Sequence, residues 1–491
     1  MAPGLAAGAR AAGPQGDATH VSSPALAAVA GPGTASDGAG TAPAARQKRL
    51  ADSRPDIVML MVDDLAEMDL RVWERLPTIR RLFLEQGVRF TEYIGNNPLC
   101  CPGRANVLTG QWSVHHGVIR NDARLLDPST TIATELAQTG YWTAIVGKYL
   151  NLTHRLADKT PPGWDHALIY NGGYRPQWYW TDGVLHRDGS SADAYMTDII
   201  ADQAVAWIDE APPDDPLFLF LTPYGPHASG LKGVKGSNYF PLPAPRHLQD
   251  PRCKGIAPWN PPGYDEAVVT DKPAYIRTLP RLPWAYGWPL RTTCESLLSV
   301  DEMLGRVVDE LETQGRTNVL FVLTGDNGMT FGAHRWTEKK VPYAAPLPLF
   351  MHWSSRLGDT PRTIDGLATN VDLAPTLCAV AGCTMGPYAN GHGTDGMSLL
   401  PLLDGSKDDL DRAGVRIEDL SPSLLKPATF RGVWTSRTWT HGRWLYVQYS
   451  SGERELYPLE TDPWMLRNQA GKPRWATVER DLRTLLRTLK P

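Results

Sequence analysis

Four short apolar runs punctuate the chain, at 57–62, 142–146, 217–221 and 319–323, the second interrupted only by Thr143. Runs of this length fit strands buried on both faces, as in a parallel sheet. Between and around them, apolar positions recur at helical spacing over 76–87, 130–139, 195–210 and 294–314. Gly87 reads as the cap of the first of these helices and Gly140 as the stop of the second. Alternation of strand and helix predicts an α/β fold, a large mostly parallel sheet with helices on both faces. Residues 228–290 interrupt the alternation; they are Pro-rich and irregular, and read as a long loop system. Past 426 the pattern changes. Apolar and polar positions alternate over 434–449 around Gly442, as in a hairpin, and 477–489 reads as a terminal helix. The expected organisation is a main domain over 51–425 and a small C-terminal α+β subdomain over 426–491.

Residues 1–50 stand apart. More than half are Ala, Gly or Pro and none is aromatic. Such a segment buries too little surface to offset its ordering entropy and is expected to be disordered. Its one apolar run, Ala25 to Ala30, is short and lacks a basic flank, so it makes a poor signal peptide. Secretion or attachment to the cell envelope stays an open expectation. The net charge of −4 offers no surplus of Lys and Arg for nucleic acid or an anionic membrane. No apolar run reaches the ~18 residues of a membrane span. Six cysteines are too few for a disulfide scaffold. Cys378 and Cys383 fit either a small loop bridge or two buried thiols.

Chemistry collects where the apolar runs end, which is where open α/β sheets bind ligands. Asp63 and Asp64 follow the first run, Lys148 the second, His227 the third, and Asp326 and Asn327 the fourth. Carboxylates at one strand end repel unless a cation lies between them. An oxygen-only set of Asp63, Asp64, Asp326 and Asn327 suits Ca²⁺, or Mg²⁺, and not zinc. A second feature is Leu99-Cys100-Cys101-Pro102-Gly103-Arg104. Pro102 suits a first helical turn, which places Cys100 at a helix N-terminus where an anion is favoured, with Arg104 one turn in. Taken alone, the pair also fits a structural vicinal cysteine pair or a redox switch.

Leu99-Cys100-x-Pro102-x-Arg104 followed by Leu108-Thr109-Gly110 resembles the signature of type I sulfatases, in which the Cys is oxidised to formylglycine. Gly140-Tyr141-x-Thr143 with Gly147-Lys148-Tyr149-Leu150-Asn151 is similar to the second signature of that family, in the N-acetylglucosamine-6-sulfatase and extracellular heparan-sulfatase branch. Asp271 to Arg277, Pro243 to Arg246, Asp326-Asn327-Gly328, Gly332-x-His334-Arg335, Lys339 with Pro342-Tyr343, Val371 to Thr376 and Glu455-Leu456-Tyr457 extend the match in order over residues 55–470. Departures are Gly103 for the usual Ser, Ala344 where a Glu is common, and Leu150 where many arylsulfatases carry a His.

The resemblance implies an alkaline-phosphatase-like α/β sandwich with a small C-terminal subdomain. It implies a sulfuric ester hydrolase matured by a formylglycine-generating enzyme. A hydrated formylglycine at 100 attacks sulfur. A Ca²⁺ held by Asp63, Asp64, Asp326, Asn327 and residue 100 polarises the sulfate. Arg104, Lys148 and Lys339 neutralise sulfate oxygens, and His227 protonates the leaving alcohol. His115, His116 and His334 are expected to be structural. The implied substrate is a sulfated glycan such as a 6-O-sulfated glucosamine. Two alternatives stay open, a phosphate or phosphonate ester hydrolase of the same superfamily and an inactive sulfated-glycan binder. Tyr239, Trp259, Tyr264, Tyr275, Trp284, Tyr286 and Trp288 either wall a sugar pocket or staple the 228–290 insert to the core.

Overall fold

The structure is a computed structural model that describes residues 54–67, 70–175, 178–187, 194–230 and 239–489. The segment 1–50 and its expected disorder therefore lie outside the described residues. The four apolar runs form strands β1 (Asp56–Val62), β2 (Trp142–Lys148), β3 (Leu217–Thr222) and β4 (Val319–Gly325). All four are parallel, in the spatial order β4-β1-β3-β2 at the centre of a ten-stranded sheet. Antiparallel neighbours enter only towards the margins, for example Leu349–His352 against β4.

Both faces of this sheet are covered, which is why its strands read as continuous apolar runs. Side chains alternate across a strand. Val58, Leu60 and Val62 pack on one side with Ala201, Ala204, Leu297 and Leu304. Ile57, Met59 and Met61 pack on the other with Ala105, Val107 and Leu108. The first group of partners lies on helices α2 (Met196–Glu210) and α3 (Arg291–Thr313), and the second on α1 (Cys100–Thr109). This is the expected α/β sandwich. Among the described residues no helix is long and apolar enough to cross a membrane.

The N-terminal ends of the central strands are clamped by one ion pair. Arg316 Nη1 donates to Asp56 Oδ1 at 2.8 Å, and its other donors reach the carbonyls of Ala211, Pro212 and Asp215. Both side chains are buried. Arg316→Ala leaves a buried carboxylate without its cation, and is expected to cost about 3–5 kcal/mol of stability. Denaturant unfolding checks this, and a loss below ~1 kcal/mol would show that the pair is dispensable.

Three details depart from the sequence reading. The expected helix 76–87 is a short turn, Pro77–Ile79, followed by a wider π-helical stretch, Arg80–Glu85. The expected hairpin is part of a four-stranded antiparallel sheet, β5 (Gly414–Asp419), β6 (Phe430–Thr435), β7 (Trp444–Tyr449) and β8 (Arg454–Pro458), whose first strand precedes residue 426. Gly442 turns the chain between β6 and β7 at φ +77°. Helix α4 (Ala476–Thr488) covers one face of this sheet through Val478, Leu482 and Leu486. The third departure is a disulfide between Cys253 and Cys294, which ties the irregular insert to α3. The open question at Cys378 and Cys383 resolves as a bridge.

The aromatic residues of the insert act mainly as staples. Trp288 is buried against Phe331, with ring centroids 5.8 Å apart. Tyr264 donates its hydroxyl hydrogen to the Trp284 carbonyl at 2.7 Å. Tyr275 is buried between Trp336 and Tyr449. Only Tyr239 and Tyr286 of the seven are exposed, at 41% and 86%. The other face of the C-terminal sheet joins the main domain through Glu455. Its buried carboxylate accepts hydrogen bonds from the hydroxyls of Tyr343, Tyr449 and Tyr457, while burial raises its pKa above the ordinary carboxylate value.

Candidate active site

The parallel register of β1 and β4 aligns Val62 with Gly325. The residues that follow, Asp63 and Asp64 from β1 and Asp326 and Asn327 from β4, therefore emerge side by side. Asp64 turns out of its strand at φ +56°. Its backbone N–H donates to Asp326 Oδ1 at 3.0 Å, as does that of Asn327 at 2.8 Å. Asn327 Nδ2 donates to Asp64 Oδ1 at 2.7 Å. The Asn327 Oδ1 atom is buried and has no hydrogen-bond partner in the protein.

Helix α1 points its N-terminus at this carboxylate group. Cys100 is its first residue, after the extended Leu99. The Cys100 thiol lies 3.8 Å from Asp63 Oδ1 and 2.9 Å from Lys339 Nζ. Cys101 faces elsewhere. Its sulfur accepts from the Asn151 N–H at 3.0 Å and donates to Asn151 Oδ1 at 3.3 Å. Burial pushes its thiol pKa up to about 12. Gly103 has a steric role in the same turn. A Cβ placed there would lie 2.0 Å from the Asp326 carbonyl oxygen, so glycine lets α1 close against the end of β4.

The cations complete the cluster. Lys148, the last residue of β2, places Nζ on Asp63 Oδ2. Lys339 places Nζ on Asp64 Oδ1. Arg104 Nε donates to Asp326 Oδ2 at 2.8 Å, and Nη2 stands 3.7 Å from Asp63 Oδ2. His227 Nε2 is 3.3 Å from Asp64 Oδ2, while Nδ1 donates to the Ala228 carbonyl at 2.7 Å. Burial alone would raise the Asp63 carboxyl, but Lys148, His227 and Arg104 outweigh it and hold it at about 2. Asp64 is lowered too, by His227 and Lys339 against burial. Burial disfavours the charged form of His227, yet Asp64 raises its pKa above the ordinary value.

The nine residues expected to bind metal or sulfate or to act in catalysis thus come together at one strand end, while the three set-aside histidines are engaged elsewhere. His115 Nδ1 bonds Asp395 at 2.6 Å, and His334 Nδ1 bonds Glu266 at 2.6 Å. His116 is buried, which lowers its pKa to about 3. Asp63, Asp64, Cys100 and His227 bring one ligand atom each within 4.8 Å of one another. His227 was expected to act on a proton and was not among the expected ligands. Asp326 is already engaged through both oxygens by Asp64, Asn327 and Arg104. Sequence reasoning passed over Tyr224. Its ring lies over Lys148 Nζ and against His227, and the only signal for it was an aromatic residue just ahead of Gly-Pro-His.

Three carboxylates face three permanent cations here. A divalent cation and an oxyanion entering together would largely offset each other's charge and so disturb that balance little. The acids would then turn to the metal and the lysines to the anion. The donors fit a hard cation, because they are oxygens and one of them, Asn327 Oδ1, is buried without a partner.

Comparison with known proteins agrees with this chemistry. A sequence model of the sulfatase family matches residues 55–383, and one described as N-sulphoglucosamine sulphohydrolase, C-terminal, matches 332–491. The N-acetylglucosamine-6-O-sulfatase of Bacteroides thetaiotaomicron is 24% identical over 88% of this chain and 86% of its own length. An arylsulfatase of Volvox carteri is 29% identical over 89% of this chain and 75% of its own. A solved structure described as bound to its substrate D-glucosamine-2-N,6-O-disulfate superposes with a TM-score of 0.71 at 22% identity, over 89% of this chain and 97% of that one; this likeness concerns the fold. With a strand-end acid cluster, a helix-borne cysteine and a family match over most of its length, the chain belongs to the sulfatase family and is a sulfuric ester hydrolase.

Proposed function

We propose that the protein hydrolyses sulfate esters of a glycan, with a 6-O-sulfated glucosamine as the preferred unit, by means of a Cys100-derived formylglycine and a divalent cation. The observation that carries the reaction is the meeting of Cys100 with Asp63, Asp64, Lys148, Lys339 and Arg104 at one strand end. The names of the relatives support the sugar. The insert's rings add little to it, since most of them are turned into the core.

Asp63, Asp64, Asp326 and Asn327 would hold the cation, Ca²⁺ or Mg²⁺, with the oxygen of a converted residue 100 in place of the thiol. When bound, the cation supplies Lewis acidity towards a sulfate oxygen, and the hydrated aldehyde supplies a hydroxyl nucleophile. The chain's own groups do the rest. Lys148, Lys339 and Arg104 bind and orient the sulfate oxygens and offset their charge as the ester bond breaks. The carboxylates hold these cations beside the site, and the lysines would turn from their acids to the anion as it binds. With Nδ1–H committed to Ala228, the further proton that His227 takes up sits on Nε2, the nitrogen facing the cluster, where the Asp64 carboxylate favours the charged ring. It delivers that proton to the departing alcohol oxygen.

Cys100 is 1% exposed and lies under Lys339, which supports conversion by a formylglycine-generating enzyme before the domain closes. The two disulfides support residence in an oxidising compartment, the cell envelope or the exterior. The substrate is tested by kcat/KM for glucosamine-6-sulfate oligosaccharides against a chromogenic aryl sulfate and an aryl phosphate. The expected order is glycan, aryl sulfate, aryl phosphate. Aryl sulfate turnover without desulfation of any glycan would reject the glycan assignment, and preference for the phosphate would reject the reaction.

A further inference from the structure

Lys148 ends β2 and His227 follows β3, and they carry different roles, yet one ring touches both. Tyr224 lies just beyond the end of β3 and is half-buried. Lys148 Nζ sits 5.5 Å from its ring centroid, over the face. The His227 imidazole stacks on it at 4.5 Å with an interplanar angle of 28°. The ring itself is fixed on several sides. Gly172 approaches so closely that a Cβ there would lie 2.7 Å from the Tyr224 ring. Tyr174 meets it edge-on at 5.2 Å, and the Tyr174 hydroxyl donates to the His227 carbonyl at 2.5 Å. The Tyr224 hydroxyl donates to the Ala228 carbonyl at 3.3 Å, the same oxygen that takes the His227 Nδ1 proton.

We propose that Tyr224 is a positioning residue that sets the Lys148 ammonium and the His227 ring in a single geometry, so that sulfate binding and leaving-group protonation are coupled through its aromatic face. The proposal rests on the roles given above to Lys148 and His227. Physically, the negative face of the ring adds a second hold on a buried ammonium that Asp63 already pairs, and would keep it placed when that carboxylate turns to a cation. The stack fixes the imidazole plane and hence the direction of Nε2. The face is the working part, and the hydroxyl only ties it to the His227 turn.

The test is a double-mutant cycle on the mature, metal-loaded enzyme with aryl sulfates of good and poor leaving groups. Tyr224→Leu is expected to lower kcat/KM by about ten- to a hundredfold, most for the poor leaving group, with metal content and melting temperature unchanged. Tyr224→Phe, which keeps the face, restores most of that loss. Tyr224→Met fills a similar volume without a ring and must behave as Leu does, which covers the case where Leu does not fold. In a Lys148→Met or His227→Gln background, Tyr224→Leu costs much less than in the parent. Additive losses, a Phe variant as poor as Leu, or a Leu variant of parental activity would overturn the positioning role. If Lys148→Met and His227→Gln themselves leave turnover unchanged, it is the assignment of those two residues that fails.

Discussion

Cys100→Ala is expected to remove turnover of any sulfate ester, by about 10⁴-fold or more in kcat, because it deletes the proposed nucleophile. Cys101→Ala is expected to stay within about threefold of the parent, since removing a thiol that faces away from the reaction only trims packing. The contrast follows from the local turn. Cys100 opens the helix and meets Asp63 and Lys339, whereas Cys101 is rotated onto Asn151, where burial raises its thiol pKa. Steady-state rates for the two variants, matched for metal content, check this. Equal losses would mean that the vicinal pair acts as a unit.

The second large effect is at Asp326. Its side chain holds the Asp64 and Asn327 backbone N–H groups on one oxygen and Arg104 on the other. Asp326→Ala therefore does two things. It removes a proposed metal ligand, and it leaves a buried guanidinium with only the more distant Asp63 carboxylate, a change that costs at most about 3–5 kcal/mol. Asp326→Asn separates the two. The amide keeps an acceptor for the backbone donors but removes the negative charge, so bound Ca²⁺ and activity fall together. A protein with either substitution that keeps full activity and metal after exhaustive chelation and reloading would show that the cation is held without Asp326. Metal analysis and thermal melts on the same samples give both readouts.

Much of the site was legible because its parts sit at fixed places relative to short apolar runs. Once 57–62 and 319–323 are read as buried parallel strands, Asp63, Asp64, Asp326 and Asn327 must emerge at one edge, and the structure brings them there. Lys148 and His227 follow by the same rule. Lys339 was legible only through family resemblance, since its loop is placed by distant partners such as the Glu266–His334 pair. What stayed hidden depends on contacts remote in sequence. Nothing near Cys253 announces Cys294, and the two meet because the insert folds back on α3. Strand β5 gained its place by pairing with β6. Gly103 looked like a defect in the signature, and its use shows only when the Asp326 carbonyl is seen against it. The insert's rings were legible as aromatic, but whether they faced a ligand or the core was settled by packing.

The central claim is that residue 100 is the converted nucleophile of this sulfatase. It is tested most directly by the mass of the tryptic peptide Phe90–Arg104 from active enzyme made in its native host. The account predicts an aldehyde in place of the thiol at Cys100 with Cys101 unmodified, in proportion to specific activity. Fully active protein carrying two intact thiols in that peptide, or an aldehyde at Cys101, would contradict it.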